Sequence, residues 1–284
     1  MSTSERVFGG GGPRGVLAHY GREARASFAF VERNYYLMKR YWGWEIAFLI
    51  YTAASSLSIV FIGESQGGDT SQLILFLGIG TLVWGYLNSV FANVAEMIAW
   101  ERWEGTIEYT MMAPVSRLTH MLGVSIFAII YGIARSICLL GVLALFFEID
   151  LAGANLGAAL LVIVIGSVSF IGFGIMGAVL PLLFPEKGEQ MTFIISSILL
   201  LVSGVYYPVS VLPGWMQWLS NISPATYVLE AMRSAILDGE SSRALMGDMI
   251  PVIVIGLVTI PLGMWVFGYF ERLAKRTGRL KRSG

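Results

Sequence analysis

Residues 72–98, 122–146 and 156–183 form long, mostly apolar stretches. Each reaches the ~20 residues that carry a helix across a hydrocarbon core. In lipid the backbone must satisfy itself internally, which leaves helices or closed barrels. Runs of this length without strict alternation are helices. Further apolar runs lie near 42–62, 190–207 and 249–270. The chain is therefore read as an all-α membrane protein with six transmembrane helices. Its composition agrees: 56% of the 284 residues are hydrophobic and 13% charged, against ~25% charged in soluble domains.

Three regions follow from the pattern. Residues 1–22 read as a disordered Gly-rich leader, 23–272 as the membrane domain and 273–284 as a basic tail. The run Gly9–Gly12 is no phosphate loop, because no Gly-Lys-Ser/Thr follows it. No nucleotide loop occurs elsewhere, so any ATP is bound by another chain. His19 and His120 are isolated and no nucleophile–base pair is apparent, so no metal or catalytic cluster is read. The single cysteine, Cys138, lies in an apolar run and excludes an internal disulfide. A net charge of zero gives no reason to invoke nucleic acid.

Positive residues set the orientation. The N-arm holds seven: Arg6, Arg14, Arg22, Arg25, Arg33, Lys39 and Arg40. Arg102, Arg117 and Lys187 lie in the next two segments on that side, and Arg272, Lys275, Arg276, Arg279, Lys281 and Arg282 in the tail. The other side has only Arg233 and Arg243, with eight acids: Glu64, Asp69, Glu148, Asp150, Glu230, Asp238, Glu240 and Asp248. Both termini are thus expected in the cytoplasm, as an even number of spans requires.

Three segments are more than simple spans. Phe28, Val31, Tyr35, Met38 and Trp42 share one helical face before span one, beside basic residues. They read as an amphipathic interfacial helix on anionic lipid. In WERWEGTIEYTMMAPVSR, Trp100, Trp103, Ile107 and Met111 make an apolar stripe and Glu101, Glu104 and Glu108 an acidic one, in a helix ended by Pro114. The connection between spans five and six is broken by Pro208, Pro213 and Pro224 but rich in Tyr and Trp. It reads as short helices dipping into the outer leaflet, either a lid over an exit or packing.

Inside the spans, Arg135 is the oddest residue, since a charge there is costly. Asn88, Asn93 and Glu96 are its candidate partners; contact with an anionic headgroup and a packed, hydrogen-bonded Arg both stay open. Glu45 is read as structural. Gly166, Gly172, Gly174 and Gly177 mark a close helix approach, within the chain or at a dimer seam.

These segments, in this order, resemble the permease subunit of ABC-2 type transporters over roughly residues 25–272. One carrier is Glu101, Gly105, Thr106, Glu108, Pro114 and Arg117, similar to the family's Glu-x-x-x-Gly-Thr-hydrophobic-Glu segment and its Pro…Arg end. The other is SGVYYPVSVLPGWMQWLSNISPATYVLEAMR, with Pro208, Pro213, Trp215, Pro224, Tyr227, Glu230 and Arg233 in place. The helix before span one is the third. The resemblance implies an elbow helix, a cytoplasmic coupling helix and outer-leaflet helices. It implies docking of a separate ABC ATPase, which holds ATP and Mg, on Glu101, Glu104, Gly105, Thr106, Glu108 and Arg117. The apolar stripe would stay near the membrane while the three acids face the partner. A second permease copy would complete the pathway, with Arg135, Asn88, Tyr206, Tyr207, Trp215, Tyr227 and Glu230 as candidate route or gate residues. The chain itself would be no enzyme but the permease of an exporter of drugs, lipids or lipid-linked glycans. The alternatives are a secondary transporter or channel without an ATPase, for which no internal repeat is visible, and a membrane scaffold.

Overall fold

A computed structural model describes residues 13–65, 71–147, 153–278 and 280, with side chains from residue 21 onward. Every regular element among them is helical: α1 (Pro13–Arg40), α2 (Trp42–Glu64), α3 (Ser71–Glu104), α4 (Ile107–Met112), α5 (Arg117–Phe146), α6 (Leu156–Gly177), α7 (Val179–Leu183), α8 (Gly188–Val202), α9 (Gly214–Ser220), α10 (Pro224–Leu237) and α11 (Met246–Arg276). A 3-10 turn occupies Val209–Val211. The run Gly9–Gly12 lies outside the described residues, but α1 begins at Pro13, inside the stretch 1–22 expected to be disordered. At the other end α11 continues to Arg276, past the expected boundary at 272.

Five helical segments are long and apolar enough to cross a membrane: α2, α3, α5, α6 with α7, and α11. The expected span 190–207 is instead the 15-residue α8. At ~1.5 Å per residue it reaches ~22 Å, short of a ~30 Å core. Gly204 stops the chain there with φ 67°, backbone that a side chain resists. Beyond α8 and α9, α10 runs on along the bundle. Its Val228 packs beside Gly166 and Leu87. Its last turn reaches the head of α6, where the Ala235 carbonyl accepts from the Asn155 amide at 2.9 Å. The stretch expected to be one span is thus divided into α8 and, after α9, α10. The bundle has an α4 end and an α9 end.

The centre of the bundle is α3, packed against α2, α5, α6, α8 and α10. It is buried along most of its length from Leu77 to Arg102. A helix surrounded in this way has no need of an amphipathic stripe. Beside it α6 lies close to α11. A Cβ on Gly172 would stand 2.3 Å from the Thr259 hydroxyl oxygen. Gly166 faces Val228 and Gly174 faces Phe91 and Val94. These glycines therefore serve contacts within the chain, where small residues let helices approach.

The apolar face expected on the first helix points away from the protein: Phe28, Tyr35 and Trp42 are 66%, 49% and 65% exposed. α1 packs on α5 through a different stripe. The Ser27 hydroxyl donates to the Thr119 carbonyl at 3.0 Å, the Phe30 and His120 rings lie 4.5 Å apart, and Asn34 is fully buried.

Candidate functional site

The segment at the α4 end folds as two helices, not the single one that its stripes suggest. Gly105 takes φ 73°. Its amide bonds back to the Arg102 carbonyl and that of Thr106 to the Glu101 carbonyl, at 3.2 and 2.9 Å. This is a Schellman close with glycine in the left-handed position. α4 then starts in a new direction. Ile107 and Met111 plug it into the core with Met97, Ile98, Met121 and Phe267. Glu108, Tyr109 and Met112 are left in the open, beside Glu104 and Trp103. Tyr109 and Met112 are 74% and 73% exposed.

Glu101 does not face outward with the other two acids, which corrects the expected acidic stripe. It is 3% exposed. Its Oε1 lies 2.6 Å from the Arg33 guanidinium and 3.1 Å from His120 Nε2. Arg33 also stands 5.2 Å over the Phe30 ring. The break at Gly105 redirects only Glu108; Glu101 is buried because its side of α3 packs against Arg33 of α1 and His120 of α5. His120, expected to be isolated, and Arg33, expected among basic residues facing anionic lipid, are thus joined to Glu101 in one cluster. It joins α1, α3 and α5.

Arg117 is likewise an internal strap. Its Nε donates to both Glu271 oxygens at 3.0 Å. Its other nitrogens donate to the Thr110 and Met111 carbonyls, at 3.2 and 2.5 Å. These carbonyls end α4, where a cation is favoured. Lys275 adds a second cation to Glu271 at 2.7 Å. The last turns of α11 are thereby tied to α4, and nothing in the sequence singles out Glu271. Thr106 contributes through its backbone, as the turn after Gly105.

In the body of the bundle, Arg135 is not bonded to Asn88, Asn93 or Glu96. It donates to the Thr52 hydroxyl at 2.6 Å and the Phe48 carbonyl at 3.1 Å, both on α2. It also reaches Tyr131, whose hydroxyl donates to Glu45. Asn88 instead accepts from the Ser196 hydroxyl, and Asn93 donates to the Ser89 carbonyl at 2.8 Å. Asn88 and Ser196 belong to a groove between α3 and α8, lined also by Phe91, Glu96, Glu189 and Phe193.

At the α9 end the aromatic residues act locally. Tyr206 packs on the main core. The Tyr207 and Tyr227 hydroxyls donate to the Leu201 and Asn221 carbonyls, at 2.6 and 2.9 Å. Trp215 is 69% exposed, and Glu230 is also exposed. Arg233, one turn on, closes the end of α8: it donates to the Gly204 and Val205 carbonyls at 3.1 and 2.7 Å. Its guanidinium stacks 3.5 Å from the Phe76 ring centre.

The sequence pattern of ABC-2 type transporters matches residues 26–237. Among curated proteins, the inner membrane transport permease YadH of Escherichia coli (strain K12) is 26% identical over 179 residues, 62% of this chain and 66% of that protein. The probable multidrug ABC transporter permease YbhR of the same organism is 24% identical over 175 residues, 62% of this chain and 46% of that protein. The chain thus spans less than two thirds of the length of these relatives.

Proposed function

Starting from its membership of the ABC-2 type transporter family, we propose that the chain is the membrane subunit of an ATP-driven exporter. Its cargo would be amphipathic: a drug, a lipid or a lipid-linked glycan. A separate ABC ATPase, carrying ATP and Mg, would dock at the α4 end. That end and both termini would face the cytoplasm from an inner membrane, as the distribution of basic residues argues. Two permease copies would complete the pathway, with lipid around them.

One observation carries this reading. The knob formed by Glu104, Glu108, Tyr109 and Met112 projects from a stem braced by Glu101 and Arg117. An exposed knob on a rigid stem is what a lever needs. A push on α4 would pass through Glu101 to α1 and α5, and through Arg117 to α11. Closure of two ATPases would then shift helices as bodies, driven by differential binding of ATP.

The test is copurification in gentle detergent or nanodiscs. An ABC ATPase should accompany the chain and detach from the Glu104→Lys/Glu108→Lys variant. Intact protein with no ATPase would replace this reading with a secondary transporter.

A further inference from the structure

Glu96 has no hydrogen bond or ion pair among the described residues. It lies eight residues before the end of α3, ~12 Å along the helix. An intramembrane carboxylate is costly and points to a function or a partner. The charges within its reach are Glu189 on α8, Glu45 on α2 and Arg135 on α5. Three carboxylates therefore share one guanidinium. Arg135 and Glu45 are linked through Tyr131, so they answer each other. Glu189 sits in the first turn of α8, where backbone amides favour an anion. Glu96 has neither remedy, and the local balance lacks one positive charge.

The groove says what kind of cation fits. A bare metal ion needs several hard ligands, and no group of three or more His, Cys, Asp or Glu stands together among the described residues. Apart from its two acids the lining is apolar or neutral, with Phe91 and Phe193 beside the Asn88–Ser196 pair. Phe193 is 51% exposed. A carboxylate in a groove with the exposed Phe193 ring suits an organic cation, held by charge and by that ring. We infer that the α3–α8 groove binds the positively charged end of an amphipathic molecule, with Glu96 as its counter-ion. Calling that molecule cargo rests on the exporter reading; the binding site itself does not.

The experiment uses the full chain in zwitterionic nanodiscs with two probes of one size and opposite charge, tetraphenylphosphonium and tetraphenylborate. Empty nanodiscs give the partition background. The phosphonium should bind saturably and the borate should not. Glu96→Gln should weaken phosphonium binding at least tenfold, Glu96→Asp should restore part of it, and Glu189→Gln should keep most of it. Equal binding of both probes, or unchanged phosphonium binding by Glu96→Gln, overturns the inference. Because no ATPase is present, failure here leaves the exporter reading standing. Failure of copurification likewise leaves this site standing.

Discussion

Arg33 and Glu101 meet at 2.6 Å across the join of α1 and α3, and His120 of α5 shares the same carboxylate oxygen. Breaking a fully buried pair costs about 3–5 kcal/mol because one charge is left alone. Arg33 is 31% exposed at its side chain, so water softens the loss. Arg33→Met is expected to cost roughly 2 kcal/mol. Adding Glu101→Met should recover part of it. Thermal melting of the single and double variants in detergent checks this; simple additivity would show that the pair is uncoupled.

The knob behaves differently. Glu104→Lys and Glu108→Lys change exposed positions and should move stability by less than ~0.5 kcal/mol. They should nonetheless uncouple ATP hydrolysis from transport in the reconstituted complex. Wild-type transport by both variants would remove the acids from the docking face.

Arg117 offers a test of the strap. Lysine is a point charge and cannot reproduce a two-pronged grip on Glu271 together with two carbonyls. Arg117→Lys should cost α4 about 1.5 kcal/mol of local stability, or roughly tenfold faster amide exchange over residues 107–112. Hydrogen-exchange mass spectrometry reads this directly, and an unchanged rate would mean that Ile107 and Met111 hold α4 unaided.

The seam between α6 and α11 has no room. Gly172→Val should cost about 1–3 kcal/mol by overpacking against Thr259. Gly85, with nothing within 4 Å of an added Cβ, is the control. Gly85→Ala should be neutral or stabilise α3 by about 0.4–1 kcal/mol. Melting temperatures of both variants decide it.

Much of this architecture was legible. Five long apolar runs became five long helices, because length and hydropathy are all that a crossing helix requires. The division at α8 was harder to see, since an apolar run of 190–207 looks the same whether or not Gly204 turns it. Gly105 was present in the sequence as a helix stop, yet the two stripes around it suggested continuity. The pairing of Glu101 with Arg33 and His120 could not be read at all: it joins residues 68 and 19 apart that only the packing of α1 on α5 brings together. For Arg135 the expectation of a polar partner held in kind, but the partners are Thr52 and a main-chain oxygen of α2.

A continuous helix consumes its own carbonyls; one interrupted within a membrane leaves them bare. Here the guanidinium of Arg233 stands in for the missing amides, at the carbonyls of Gly204 and Val205. The turn between α8 and α10 is therefore held by Arg233 together with the Ser203–Ser223 hydroxyl pair and the Ser220 hydroxyl on the Val202 carbonyl. What a run of amides does inside a helix is done at this break by side chains from the helices that follow it.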